Sequence, residues 1–579
     1  MNVISLSFFS DIWIHSYPEF LIYKNLNEKY NLNIDVVNCQ KFFFNACMAH
    51  NMKSVSINAK ISEKDKICEG CIKTSNFYKN NSNHSNINLS NHLYEKDKIK
   101  INEILKKINT KNFKKLRVFG VYVGKATLFN FLIQNKLNSL KMNQKQFKEY
   151  KIYLENSLKA LFAFKKILEK KKYDVFVAYS VEYSLNKVCA DYAKTKKIKI
   201  INISAGKNPI DKYSKILISE AYRSGFVYHV NSHWNNFKRK QIVKNDLDPI
   251  KNYISSMLNS KGYLNFSLPP KGVNIREFFK ISKKYKKIVL IALSGAGERL
   301  GDHLSGYKQS KKKNCNSEYF SNDFEWVSFL IKNSYKFPDT FFIFRPHPRD
   351  YSSRNHFVES SVMTKYRKLS QKSPQNCVFN FQNDRISLYD FVPYIDLLLN
   401  SNSVTSYEFG LFGIRTLIFD PKLYYYADDL VIYPKNFKNY LPLLNTTLND
   451  TSYDKKKIVI NSIKYLSLQF NYESVDISDV FDVNTQSIIF RIINRIQRYM
   501  GLNFLVNYYF FIKNTKIKNI LLFQKLLQNN LDSVLDIRLK SIPKIKKKLN
   551  EFDMIKKVIL NQLAINKKNK LYKVVDKIN

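Results

Sequence analysis

The sequence predicts two α/β domains facing a cleft, each a mainly parallel sheet covered by helices, followed by a basic helical appendage. Three observations lead there. Short apolar runs bounded by polar or turn residues alternate with stretches of helical period, and strands alternating with helices make parallel sheets buried on both faces. The alternation stops at a polar stretch around Pro269-Pro270-Lys271-Gly272 and then starts again. The chain has 579 residues, enough for several domains at about 100 to 200 residues each. With 14 Gly and 14 Pro it has too few of either for a long flexible linker.

The first Rossmann-like domain is expected over 1–265, with strands at 3–9, 116–123, 175–178 and 198–203. The second is expected over 275–485, with strands at 288–293, 341–344, 377–379, 397–399 and 416–419 and helices at 323–333, 386–394 and 403–412. The Asn- and Ser-rich segment 75–91 has too little apolar content to order itself and reads as a surface loop, and 306–317 reads as a surface insertion or lid. From 486 to 579 the character changes. Ile489, Ile492, Ile493, Ile496 and Met500 share one helical face while Arg491, Arg495 and Arg498 share another. The apolar run 502–512 that follows is too short to span a bilayer. This tail either packs back on the protein or rests on an anionic membrane surface.

There are 95 Lys and Arg against 47 Asp and Glu, a formal charge of +48, while the apolar content of 45% is that of a folded protein. Heavy use of Lys, Asn and Ile is what AT-rich codons produce, and no recognisable RNA- or DNA-binding module is present, so the charge alone is poor support for a nucleic-acid partner. The sequence contains no run of 18 or more uncharged apolar residues, and the first residues lack the basic start of a secretory signal, so the protein is expected in the cytoplasm or on the inner face of the plasma membrane. Seven Cys in this length do not make a disulfide framework.

Three stretches carry candidate chemistry. An apolar strand ends in Arg345-Pro346-His347-Pro348-Arg349, and the carboxyl ends of parallel strands are where open α/β sheets bind ligands. The guanidiniums of Arg345 and Arg349 offer bidentate donors to phosphate, and the flanking prolines fix the direction of the His347 ring. A second strand leads into Ser401 and Ser403 at the start of a helix that carries Glu408. Hydroxyls and open backbone N–H groups make an anion site there, with Glu408 in reach of ribose or sugar hydroxyls. Third, Ser294-Gly295-Ala296-Gly297-Glu298-Arg299-Leu300-Gly301 follows the first strand of the second domain; its third Gly comes one residue too late for the dinucleotide fingerprint, and it reads either as a loop approaching phosphate or sugar, with Glu298 and Arg299 as contacts, or as a plain tight turn.

The Arg-Pro-His-Pro strand end, the serine-rich turn with its glutamate helix, and Phe324-Glu325-Trp326-Val327 upstream together resemble the C-terminal half of bacterial capsule and surface-carbohydrate biosynthesis proteins of the GT-B glycosyltransferase type. Residues 285–425 carry the resemblance, and Ile414-Arg415 stands where that group has Gly-x-Pro. The resemblance implies a nucleotide-sugar donor held by the second domain through Arg345, His347, Ser401, Ser403 and Glu408, and a glycan or lipid-linked acceptor held by the first. It implies a surface-polysaccharide glycosyltransferase. A CDP-linked polyol-phosphate transferase, a sugar-nucleotide epimerase and an inactive scaffold of the same fold are the alternatives. Cations and N–H dipoles can stabilise the departing phosphate without a metal, and no Asp-x-Asp motif stands in a convincing place, so no cofactor is required for catalysis.

A base to deprotonate the acceptor is expected among Asp11, His15 and Glu19, just after the first strand, with His15 and Glu19 four residues apart on one helix face. Glu182 and the turn 204–207 are further candidates. Cys39, Cys47, Cys68 and Cys71 fall close together, the last two as Cys-x-x-Cys, and read either as free buried thiols or as the ligands of a structural zinc in which His50 could replace one thiolate.

Overall fold

The computed structural model describes the chain apart from residues 222–225, 261–266, 306–319, 321, 353–357, 402, 420–425, 428, 484–486, 501–502, 542–549, 565–569 and 579. The expected insertion at 306–317 therefore lies outside the described residues.

Two sheets form, as expected. The first orders its strands β12-β6-β5-β4-β1-β2-β3, with β1 (Asn2–Ser7), β2 (Asn33–Asn38), β3 (Ser85–Asn88), β4 (Val175–Tyr179) and β5 (Lys199–Ala205) parallel. At one side β6 (Lys215–Glu220) and, at the edge beyond it, β12 (Ser474–Asp476) run antiparallel to their neighbours. The second sheet is wholly parallel in the order β11-β10-β7-β8-β9, from β7 (Lys287–Ala292), β8 (Thr340–Arg345), β9 (Cys377–Phe379), β10 (Leu397–Asn400) and β11 (Thr416–Ile418). Both sheets are apolar on both faces, as parallel strands under helices must be. In β1, Ile4 and Leu6 join one core while Val3 joins another. In β10, Leu398 faces one side while Leu397 and Leu399 face the other.

Each sheet reverses its strand order once, between β1 and β4 in the first and between β7 and β10 in the second. A crevice opens at such a switch point because the flanking connections leave in opposite directions. The domains meet where the helix Glu298–Ser305 packs on the helix Leu128–Gln134. Across this contact Lys136 Nζ donates to the Tyr351 carbonyl at 2.6 Å and Ser360 Oγ to the Lys136 carbonyl at 2.9 Å.

Several expectations are corrected. Residues 116–123 do not form a strand. Phe119 and Gly120 turn the chain back with positive φ, so Val118 and Val121 bond each other across the turn before the short helix Val123–Ala126. Residues 75–91 are ordered: the helix Ile61–Asn80 covers the start, and β3 adds an edge strand beside β2, its Asn86 side chain accepting from Asn38 at 2.7 Å. An edge strand gains backbone bonds with little apolar content, which is why its composition hid it. The helix expected over 386–394 is one 3₁₀ turn, Leu388–Phe391, closed off by Pro393. The helix expected over 403–412 is Thr405–Gly410.

The division at 265, 275 and 485 is crossed by packing. The helix Lys244–Asn259 puts Leu247, Ile250 and Tyr253 into the core of the second sheet, and the chain returns at β12 to complete the first. The tail is helical, as expected, and is shared between the domains. Val506, Phe510 and Phe523 pack on the first, and Phe552, Ile555, Ile559 and Leu563, at helical spacing, on the second.

Candidate active site

The switch point of the second sheet gathers the second domain's expected residues. Ser294, just past β7, and Ser401, just past β10, share a hydroxyl hydrogen bond at 2.6 Å across the reversal. Ser401 is fully buried in this bond and sits on the strand end, not on a helix start. Ser403 stands one residue before the helix's capping position, Val404: its Oγ accepts from the Thr405 N–H at 3.3 Å and lies 2.8 Å from Thr405 Oγ1. Its own N–H donates to the Tyr426 hydroxyl at 2.7 Å, which fixes the turn.

A cavity of about 120 Å³ lies beside this turn, lined among others by Tyr253, Arg345, His347, Ser403, Thr405 and Glu408. Glu408 is buried, and it accepts hydrogen bonds from the hydroxyls of Tyr253 and Tyr389. Burial raises its carboxyl to about 7, against the pull of those two hydroxyls. A second, larger groove of about 1050 Å³ shares Arg345, Pro346 and Pro348 with the first and adds Lys271, Arg367 and Arg385. The Arg-Pro-His-Pro turn is thus the wall between the small cavity and the groove that carries Lys271, Arg367 and Arg385.

His347 is held in one tautomer. Its Nδ1 accepts from the Arg349 N–H at 3.1 Å, so in the neutral ring the proton sits on Nε2. Burial, helped by Arg349 and Arg345 and opposed by Glu298, lowers its pKa to about 4 and keeps the ring neutral. Arg345 is anchored: its guanidinium donates to Asn380 Oδ1 and to the Ile386 carbonyl, and it stands over the Phe391 ring at 5.7 Å. Burial brings it down to about 10. Arg349 and Glu298 pair with each other. A side chain at Gly295 would place its Cβ 2.8 Å from Glu298 Oε2 and 3.5 Å from His347 Nδ1, so glycine there keeps the loop against the histidine. Gly297, with φ +87°, plays a different part: it touches the other domain, where a Cβ would fall 2.4 Å from the Leu132 carbonyl oxygen.

The three residues expected as bases part company. His15 sits at the first sheet's switch point, stacked on Tyr179 at 4.3 Å between ring centroids, and burial with Lys212 nearby lowers its pKa to about 3. Lys212 also feels the charge of Arg349, so this side of the first domain looks toward the Arg-Pro-His-Pro turn. Glu19 lies deeper in a polar cluster with Ser5 and Tyr23, and burial raises it to about 8. Asp11 is drawn the other way, into the cysteines. Its N–H donates to Cys71 Sγ at 3.3 Å, and its carboxylate lies 3.6 Å from Lys53 Nζ.

Cys39, Cys47, Cys68 and Cys71 do converge, since Cys39 and Cys47 act electrostatically on Cys71 and Cys68 Sγ lies 3.6 Å from His50 Nε2. Burial raises all four thiols, Cys39 to about 12 and Cys68 to about 11, so they hold their protons. Among the described residues no group of three or more His, Cys, Asp or Glu is set to hold a metal ion. Zinc binding there requires the thiols to deprotonate and draw together.

Sequence reasoning missed Tyr253 and Tyr389, which hold Glu408, and named Ser294 only as the start of the glycine loop, not as the tie between the two strand ends. Tyr253 had no signal, being one of 38 tyrosines and on a helix assigned to the other domain. Ser294 stood at a strand end in plain view.

No family model matches the chain, and no curated protein matches it. Among solved structures it is similar to a UDP-GlcNAc 2-epimerase from Neisseria meningitidis bound to UDP-GlcNAc, at 12% identity and a TM-score of 0.25 over 81% of this chain and 97% of that one. It is similar also to the beta Kdo 2,4 transferase KpsC of Thermosulfurimonas dismutans, at 10% identity and a TM-score of 0.30 over 51% of this chain and 79% of that one. A UDP-bound MnaA from S. aureus matches at 12% identity and a TM-score of 0.27 over 86% of this chain and 97% of that one. The case for this chain's chemistry rests on its own residues.

Proposed function

We propose that the protein is a glycosyltransferase of surface-polysaccharide synthesis, moving a sugar from a nucleotide-sugar donor to a glycan or lipid-linked acceptor. The observation that carries the reading is the second sheet's switch point, where the His347 ring, the Ser403 and Thr405 hydroxyls and the buried Glu408 carboxyl border one cavity beside a basic groove. A neutral imidazole presenting Nε2–H suits a phosphate oxygen, and preorganised donors of this kind act most strongly as charge builds on the leaving phosphate. In the transfer the bond from the sugar's anomeric carbon to the phosphate oxygen breaks, and a bond to the acceptor oxygen forms. The acceptor's proton passes to a base on the first-domain side. His15 is the candidate nearest that turn in charge terms, since it neighbours Lys212, on which Arg349 acts; burial that lowers it to about 3 makes it a weak base, so its part is to accept a hydrogen bond from the acceptor hydroxyl as the proton leaves.

Glu408 gives the reading a pH signature. Below about pH 7 its carboxyl is neutral and offers no repulsion to phosphate; above that it ionises beside the donor. Donor KM should therefore rise by about three- to tenfold between pH 6 and pH 8.5. Glu408→Gln, neutral throughout, should flatten that rise, and a glutamine variant that keeps the wild-type slope would remove Glu408 from the donor site.

The reaction itself is read by incubating purified protein with UDP-, GDP- and CMP-linked sugars and a membrane glycolipid extract. Release of free nucleotide that depends on the acceptor supports transfer. An epimerised sugar nucleotide formed without acceptor would replace this reading by the epimerase one.

A further inference from the structure

The helix Ile488–Met500 faces the solvent with its apolar side. Phe490 is turned inward, against Tyr509 at 5.5 Å and Phe510 at 5.4 Å, and Gln497 is buried with it. Ile488, Ile489, Ile492 and Ile496 stand outside, at 68%, 61%, 53% and 37% exposure. Their spacing puts them in one stripe along the helix. Arg491 and Arg495, exposed as well, run beside it. The protein's own core thus takes one side of this helix and leaves its richest apolar side to water, where four isoleucines in a row are a cost unless something covers them.

We propose that this stripe is a docking surface for an anionic lipid bilayer, with the isoleucines entering the headgroup boundary and the arginines meeting lipid phosphates. An apolar stripe flanked by arginine is the pattern of a helix that lies in the interface plane. The helix has 13 residues, and no helix among the described residues is long and apolar enough to cross a membrane, so the contact is with the surface. Charge chooses between a bilayer and a second copy of the chain. A two-fold pairing would set Arg491 and Arg495 of one copy near those of the other, on a chain of formal charge +48, whereas an anionic surface attracts them. The exposed Tyr508 on the next helix, Asn503–Phe511, and Ile512 in the turn after it add apolar area in the same part of the chain.

The test is sedimentation of the full chain with phosphatidylcholine vesicles containing about 30 mol% phosphatidylglycerol, at roughly 0.1 M and 1 M salt. Wild type should partition to these vesicles and be released by high salt. The triple variant Ile489→Ser, Ile492→Ser, Ile496→Ser, altered only at exposed positions, should keep its Tm and lose binding by at least about tenfold. The pair Arg491→Glu, Arg495→Glu should lose it similarly. The triple variant retains all the positive charge, so wild-type partition by it would assign binding to charge alone and overturn the proposal. Failure of wild type to bind would overturn it too. So would light scattering that shows a dimer which the triple variant abolishes, since a second copy would then own the stripe.

Discussion

His347→Asn should lower kcat/KM for sugar transfer by about 10²-fold, the scale seen when one preorganised donor to developing charge is removed. The change is chosen so that folding survives it. The wild-type Nδ1 accepts the Arg349 N–H and so caps the 3₁₀ turn Pro348–Asp350, and an asparagine oxygen can do the same. What it cannot do is carry Nε2–H to the far side of the turn. Tm should therefore stay within about 2 °C of wild type while activity falls. The imidazole is neutral down to about pH 4, so the wild-type rate should not follow a histidine titration near pH 6.5. A rate in the variant equal to wild type would take the Arg-Pro-His-Pro turn out of the site.

Gly297→Ala should destabilise the protein by about 2 to 4 kcal/mol, because two costs fall together. The backbone there has φ +87°, a conformation an L side chain adopts only with strain, and the new Cβ would stand 2.4 Å from the Leu132 carbonyl oxygen and 2.9 Å from its carbon. Backbone cannot swing aside as a long side chain can, so the two domains must part or the helix Leu128–Gln134 must shift. Gly272→Ala separates the terms. It has φ +72° with nothing within 4 Å of the new Cβ, and should cost only about 1 kcal/mol. Urea unfolding of both variants reads the difference. Equal losses would mean that the contact between Gly297 and Leu132 does not hold the domains.

How much of this could be read from sequence depends on whether a signal was local. The run ending in Arg345 announced a buried parallel strand with its chemistry at the carboxyl end, and the restart after Pro269-Pro270 announced a second sheet. The helix Asp323–Asn333 was legible to the residue, since Asn322 caps it by accepting from the Glu325 N–H and Trp326 and Val327 mark its inner face. The edges were not legible. β3 is Ser-Asn-Ile-Asn, whose strand character comes only from a place beside β2, and β12 reaches the first sheet from beyond the whole second domain. In the site, Glu408 was visible but its partner Tyr253 was not, because 155 residues separate them and only the fold brings them into contact. Asp11 was visible next to His15, yet a turn after β1 sends it to Cys71 while His15 goes to Tyr179. The tail showed its two faces in sequence, but not that Phe490 would be the side turned inward.

Isothermal titration of the purified protein with UDP, GDP, CDP and CMP, repeated on His347→Asn, tests the donor site most directly. One nucleotide should bind wild type, with affinity at least about tenfold weaker in the variant, a loss of about 1.4 kcal/mol. Binding of none of them, or binding that the variant leaves unchanged, would contradict a nucleotide-sugar site at the switch point of the second sheet.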